Sequence, residues 1–155
     1  MYTRETIEAF NIIGLAVETT NANGASAKDI GELWSRFYSD NVVRQIPNME
    51  GAEVYSVYTD YESDHTGMYT CIIGVKVSSL QEIPEGLYAR AFPSATMIRM
   101  IAKGPMPNAI FEQWQKIWEA EDVLGRSYEY DFEVYGERSM WGDEAEVDIY
   151  LSVQV

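Results

Sequence analysis

An internal repeat constrains the fold of this chain more than any other feature of the sequence. Gly24 precedes Trp34 by ten residues, and Gly104 precedes Trp114 by the same interval. The apolar positions around the two tryptophans match at a constant offset of 80, pairing Ile30 with Ile110, Trp34 with Trp114, Phe37 with Ile117 and Tyr38 with Trp118. Each copy reads as strand, helix and hairpin, so the pattern predicts two similar halves that share one core.

The first half contains one helix with a clear amphipathic stripe. Ser26 followed by Asp29 resembles a capping box at its start. Alternating and apolar runs predict strands on both sides, and Gly14 marks a bulge or a close backbone approach in the first of them. The predicted elements are a strand at Glu5–Thr20, a helix at Ala27–Ser39, an edge-like element at Val42–Ile46 and hairpin strands at Glu53–Tyr61 and Met68–Val77.

The second half follows the connector Ile83–Gly86 and repeats this order. Its predicted elements are strands at Leu87–Phe92 and Ala95–Lys103, a helix at Asn108–Ala120, and strands at Arg126–Glu137 and Glu146–Val155. We therefore predict an α+β fold in one domain of residues 1–155, with repeats over about residues 5–82 and 87–155. The two β-α-β-β halves should form one antiparallel sheet, with both helices on one face and a central ligand groove between them.

The strand Arg126–Glu137 carries an acidic face. Its residues alternate between Tyr128, Tyr130, Phe132 and Val134 on one side and Glu129, Asp131, Glu133 and Tyr135 on the other. If the acidic side is covered, Glu133 becomes a carboxylate among aromatic rings, and such a site attracts a cation. If it is uncovered, these carboxylates are simply exposed, which is the interpretation we keep for Glu129, Asp131 and Glu137.

The hairpins of the two halves also align with each other. Tyr-Ser-Val-Tyr at Tyr55–Tyr58 can be laid on Phe-Glu-Val-Tyr at Phe132–Tyr135, which makes Ser56 the counterpart of Glu133. The predicted groove would then carry a carboxylate on one side and a hydroxyl on the other.

Composition argues against several functional classes. Eleven Lys and Arg against 25 Asp and Glu give a net charge of −14, which disfavours nucleic-acid phosphates and anionic membranes and favours cationic ligands or a basic partner. Plain solubility explains this charge equally well. Cys71 is the one cysteine, in an apolar run, and His65 is the one histidine, in a turn where we predict an exposed residue rather than a catalyst. We predict no metal, no cofactor, no membrane span and a cytoplasmic protein.

An ordered set of short motifs runs along almost the whole chain. It comprises the strand with Gly14, Leu-Trp-x-x-Phe at Leu33–Phe37, Val-Tyr-x-x-Tyr-x-Asp-Tyr at Val54–Tyr61, Gly-x-Tyr-Thr at Gly67–Thr70, Gly74, Pro-x-Gly-Leu at Pro84–Leu87, Lys103-Gly104, Trp114 and Asp-Phe-Glu-Val-Tyr at Asp131–Tyr135. This set resembles the effector-binding domain of AraC- and MerR-type multidrug regulators in the GyrI-like superfamily. It resembles in particular the stand-alone integron-associated effector-binding proteins.

The resemblance implies a pocket for bulky cationic, often aromatic compounds, in which a glutamate of the penultimate strand pairs with the cation. Glu133 occupies that position, Tyr135 follows on the same face, and Tyr150 matches an aromatic position in the last strand. Core packing is the alternative role of the helical tryptophans, and we assign Trp34 and Phe37 to the core. The predicted ligand-binding residues are Glu133, Tyr135, Tyr150, Trp114, Trp118, Tyr58, Tyr69 and Ser56.

We predict from this a free-standing, regulator-like module that binds a lipophilic cation. The DNA-binding segment of the regulators has no counterpart in the sequence, so no direct nucleic-acid contact is expected, while a partner regulator protein and a homodimer stay open. Two other functions also stay open. One is a hydrolase with Glu133 as general base or nucleophile, because some superfamily members are hydrolases. The other is an acidic module that binds a basic protein surface.

Overall fold

The structure is a computed structural model that describes residues 3–154, and within this range the chain forms eight strands and four helices. The strands are β1 (Arg4–Ile7), β2 (Phe10–Thr20), β3 (Met49–Thr59), β4 (Met68–Val77), β5 (Tyr88–Phe92), β6 (Ala95–Lys103), β7 (Arg126–Tyr135) and β8 (Glu146–Val153). The helices are α1 (Ala25–Ser39), the single turn α2 (Val42–Gln45), α3 (Asn108–Glu119) and the single turn α4 (Glu121–Leu124). The predicted α+β class is confirmed.

All eight strands join one antiparallel sheet, whose order is symmetric about its middle. The order is β1-β6-β8-β7-β3-β4-β2-β5. The two short outer strands are exchanged between the halves, because β1 pairs with β6 and β5 pairs with β2. The halves meet where β3 pairs with β7, and the register there places Ser56 directly opposite Glu133.

Both long helices cover the same face of this sheet. Leu33 and Phe37 of α1 pack on a cluster from β2 and β4, and Ile110 and Ile117 of α3 pack on a cluster from β6 and β8. The two clusters stay apart, so a groove runs between the helices above β3 and β7. A third cluster, which includes Phe132, lies on the opposite face.

Three local predictions are wrong. The stretch Glu5–Thr20 is not one strand, because it is interrupted between β1 and β2 and its first part joins the other half of the sheet. Val42–Ile46 begins with the helical turn α2 rather than an edge element, and Val42 is buried there in the core under α1. Ser26 does not cap α1: Gly24 precedes the helix, and no side chain caps it. The end of the predicted last strand, Val155, lies outside the described residues.

Gly14 marks a close backbone approach, as one of the two alternatives predicted. It lies opposite Gly74 where β2 pairs with β4, and a Cβ atom on Gly14 would stand 2.0 Å from the carbonyl oxygen of Ile73. We expect Gly14→Ala to lower the free energy of unfolding by about 1–3 kcal/mol, the usual range for overpacking in a core. Urea denaturation measures this change.

Gly31→Ala is the matched control for that measurement. Gly31 lies in α1, and a Cβ atom there meets no other atom within 4 Å. Alanine should therefore stabilise the protein by about 0.5–1 kcal/mol, the ordinary advantage over glycine in a helix. If both variants unfolded at the wild-type urea concentration, the close approach at Gly14 would not constrain the fold.

Candidate functional site

The groove between α1 and α3 deepens into a cavity of about 470 Å³. This volume lies within the range of small-molecule binding sites, which are mostly apolar with a few convergent polar groups. Its wall is largely aromatic and aliphatic, and its floor is formed by β3, β4 and β7. The main lining residues are Ile30, Trp34, Tyr58, Tyr61, His65, Tyr69, Ile110, Phe111, Trp114, Trp118, Arg126, Glu133 and Tyr135.

Glu133 is the buried carboxylate of this cavity, with 1% of its surface exposed. Its Oε2 atom accepts hydrogen bonds from the hydroxyl of Tyr58 at 3.0 Å and from the indole Nε1 of Trp114 at 2.6 Å. Its Oε1 atom accepts one from the hydroxyl of Tyr135 at 2.6 Å. Three neutral donors from β3, α3 and β7 therefore converge on one carboxyl group.

Two opposing effects set the pKa of Glu133. Burial is the larger effect and raises the pKa above its ordinary value, because a charged carboxylate is costly to remove from water. The hydrogen bonds from Tyr135, Trp114 and Tyr58 act in the other direction, since they favour the ionised form. Because these three donors are neutral, they do not balance the negative charge of the ionised carboxylate.

The aromatic walls follow the symmetry of the two halves. Trp114 packs edge to face on Tyr58, with ring centroids 5.6 Å apart, and Trp34 packs in the same way on Tyr135 at 5.0 Å. In each pair the tryptophan comes from the helix of one half and the tyrosine from the strand of the other half. We predict Trp34 as a core residue. In the structure it also forms part of the cavity wall.

Ser56 supports the site from outside the cavity wall. It is fully buried and is not among the lining residues, in contrast to its predicted place in the groove. Its hydroxyl donates to Tyr58 at 3.1 Å and lies 3.6 Å from the sulfur of Cys71. Burial raises the pKa of Cys71 to about 12, so the thiol is protonated and can donate to Ser56. A chain of donors thus runs from Cys71 through Ser56 and Tyr58 to Glu133.

The predicted place of Tyr150 in the site is wrong. Tyr150 pairs with Phe132 in the sheet register, and their rings stack at 4.7 Å in the cluster on the opposite face. Directly paired residues of neighbouring antiparallel strands point to the same face. Glu133 pairs instead with Ile149, so Tyr150 points away from the cavity.

His65 differs from the exposed turn residue that the sequence predicts. It is half-buried in the turn between β3 and β4, and its ring stacks on Trp118 with centroids 5.4 Å apart. Its Nδ1 atom is 3.3 Å from the carboxylate of Glu121. The turn is also held by Asn21, which donates to the carbonyl of His65 and accepts from the hydroxyl of Tyr69. His65, Trp118 and Tyr69 therefore line one end of the cavity.

A buried arginine at the cavity wall was missed at the sequence level. Arg126 packs over the rings of Trp114 and Tyr128, and it forms ion pairs with Asp131 at 2.6 Å and Glu121 at 2.7 Å. Burial alone would lower its pKa, but the neighbouring carboxylates outweigh burial and raise it. One guanidinium with two carboxylates leaves no excess positive charge, so this wall does not repel a cation.

Neither a metal-binding cluster nor a membrane-spanning helix is found among the described residues. Across residues 3–154, no three His, Cys, Asp or Glu side chains are grouped so that they could hold a metal ion. In the same range, none of the helices has the length and apolar character needed to cross a membrane.

The fold matches those of two solved structures. The structure of SAV2435 bound to tetraphenylphosphonium aligns with a TM-score of 0.81 at 16% identity, over 99% of this chain and 94% of that one. The integron cassette protein VCH_CASS2 from the mobile metagenome of Vibrio cholerae aligns with a TM-score of 0.76 at 25% identity, over 99% and 95% of the two chains.

The sequence shows the family directly. The chain belongs to the family of integron-associated effector binding proteins, Cass2, which matches residues 5–153. The Bacillus subtilis (strain 168) protein YobU, named as a transcriptional regulator, is 24% identical over 145 residues, which cover 91% of this chain and 90% of YobU.

Proposed function

We propose that this chain binds lipophilic aromatic cations in the cavity between α1 and α3, with Glu133 as their counter-charge. The observation that carries the proposal is a carboxylate, 1% exposed, that lies among aromatic rings and receives only neutral donors. A bound cation would supply the missing charge, and the rings of the wall would stabilise it through their π faces.

The family and the neighbouring structure support this ligand class. Tetraphenylphosphonium, the compound bound to SAV2435, is a cation whose charge is surrounded by phenyl rings. The net charge of −14 would also raise the local concentration of cations around this chain. Because YobU is named as a transcriptional regulator, we propose that ligand binding here serves regulation, through a partner protein or a second copy of the chain.

Binding fits the geometry of Glu133 better than hydrolysis does. A general base needs a lone pair directed at the proton that it removes. Hydrogen bonds from Tyr58, Trp114 and Tyr135 already occupy three of the carboxylate's roughly four lone-pair positions. These contacts favour a fixed counter-charge, which only has to lie near the ligand.

Tryptophan fluorescence provides a direct test. Three of the four tryptophans, Trp34, Trp114 and Trp118, line the cavity, whereas Trp141 is half exposed elsewhere. Titration of a Trp141→Phe variant with methyltriphenylphosphonium should quench its fluorescence saturably. Triphenylphosphine oxide, which has the same three rings but no charge, should bind much more weakly. Equal affinity for the two compounds, or saturable quenching by neither, would contradict the proposal.

The affinity for a permanent cation should depend on pH in one direction. Burial raises the pKa of unliganded Glu133, and a bound cation favours the ionised form. Binding is therefore coupled to loss of a proton, so affinity should fall as the pH drops through the unliganded pKa and stay constant above it. Calorimetry with methyltriphenylphosphonium across pH measures this profile. A Glu133→Gln variant should lose the decrease, and the proposed coupling would be contradicted if it kept it.

A further inference from the structure

We infer that the cavity selects cations without N–H groups, such as quaternary ammonium and phosphonium ions, over protonated amines of the same charge. This inference rests on the proposed function and goes further, because it names the class of cation. It starts from the hydrogen bonds that Glu133 already accepts rather than from its charge.

The carboxylate of Glu133 has little capacity left for a ligand donor. A carboxylate offers about four lone-pair positions on its two oxygen atoms. Tyr58 and Trp114 occupy both positions on Oε2, and Tyr135 occupies one on Oε1. One position on Oε1 remains for a ligand, while the full negative charge remains available for attraction at longer range.

The groups that donate to Glu133 offer few further acceptors. The hydroxyl of Tyr58 already accepts from Ser56, which leaves the hydroxyl of Tyr135 as the neighbouring alternative. Asn21 is bonded to Tyr69 and to the backbone of His65, at the end of the cavity lined by Trp118. The wall also includes the polar side chains of Ser26, Tyr61 and Gln115, and the rest of it is mainly carbon.

A primary ammonium group brings three N–H donors into this setting. At least one of them would lack a partner, and a buried donor without a partner costs roughly a factor of ten in affinity. A quaternary ammonium or phosphonium group brings no donor. Its methyl or phenyl groups contact the aromatic wall, and its charge is attracted by Glu133 and by the π faces of the rings.

A pair of ligands with one ring system tests the inference. We expect (1-naphthylmethyl)trimethylammonium to bind the wild-type protein about tenfold or more tightly than 1-naphthylmethylammonium, as measured by calorimetry above the pH at which Glu133 titrates. Part of this ratio comes from the three extra methyl groups. The decisive quantity is therefore the change of the ratio between variants, in which that contribution cancels.

Tyr135→Phe removes the donor on Oε1 and frees a second position on the charged carboxylate. The primary amine should gain relative to the quaternary ion, so the ratio should fall several-fold. Tyr58→Phe frees a position on Oε2 in the same way and serves as a second variant if the first is unstable. Tyr150→Phe is the matched control, because it removes the same hydroxyl from a residue that points away from the cavity, and its ratio should stay at the wild-type value.

The outcomes separate this inference from the proposed function. If the wild-type protein binds the primary amine as tightly as the quaternary ion, or if the ratio is the same in both Glu133-donor variants as in wild type, the inference is overturned. The proposed function would still stand if Glu133→Gln weakened both cations. If Glu133→Gln weakened neither cation, the proposed function itself would be overturned.

Discussion

Replacing Glu133 with glutamine is expected to weaken the binding of methyltriphenylphosphonium by roughly 1.5–3 kcal/mol, or about 10- to 150-fold in Kd. Glutamine keeps the size and shape of the side chain and removes its charge. In the wild-type protein the carboxylate is buried with three neutral donors, and none of the described residues places a cation within hydrogen-bonding distance of it. The cation should therefore lose most of its electrostatic attraction in the variant.

Triphenylphosphine oxide makes this measurement specific for charge. It has the same three phenyl rings and should lose much less affinity than the cation in the Glu133→Gln variant. Glu129→Gln is the matched protein control, because Glu129 lies four residues earlier on β7 and is exposed. The counter-charge role would be ruled out if Glu133→Gln weakened the two ligands equally, or if Glu129→Gln had the same effect as Glu133→Gln.

The centre of the cavity could be predicted from the sequence because it follows from periodicity and repetition. Alternation in β7 places Glu133 and Tyr135 on one face, and the repeat places the helices over that face. The alignment of the hairpins also makes Ser56 the counterpart of Glu133, and the two residues are directly paired where the halves meet. Each of these steps needs only local patterns and one symmetry.

The failed predictions for Tyr150 and His65 depend on how distant elements are placed, which local patterns do not determine. Tyr150 faces away from the cavity because it pairs with Phe132, and the register between β7 and β8 is shifted along its length. His65 reaches Trp118 through the position of a whole hairpin relative to α3. A prediction of either contact needs the relative placement of elements that are distant in sequence.

Asp131 is the most instructive failure. We predicted an exposed carboxylate, yet Asp131 is fully buried and paired with Arg126. Residues five apart on a regular strand point to opposite faces. Here Tyr128 has a φ of +57° and the register shifts between Arg126 and Asp131, so the alternation changes phase and the two side chains meet. A local signal was present, because Arg126 is one of few basic residues in an acidic stretch.

Both oxygen atoms of the Asp131 carboxylate accept hydrogen bonds. Asp131 accepts from the guanidinium at 2.6 Å, from the hydroxyl of Tyr61 at 2.5 Å and from the backbone amide of Ser152 at 2.9 Å. These contacts join β7 to β8 and to the turn that follows β3. Removing the arginine would leave a buried carboxylate with neutral donors only.

Arg126→Met should therefore lower the free energy of unfolding by about 3–5 kcal/mol, the range for breaking a buried ion pair by removing one partner. Methionine fills much of the same volume, so the loss would come mainly from the uncompensated charge of Asp131.

Arg138→Met is the matched control, because Arg138 also bridges two carboxylates, Glu146 and Asp148. Its side chain is 40% exposed, whereas that of Arg126 is 1% exposed. Exposed pairs contribute about 0–1 kcal/mol, so that variant should unfold near the wild-type urea concentration. Equal losses in the two variants would show that burial of the Arg126 pair does not matter to stability. A double variant, Arg126→Met with Asp131→Leu, removes the unpaired charge as well. If it recovered no stability over Arg126→Met, the unpaired charge would not be the cause of the loss.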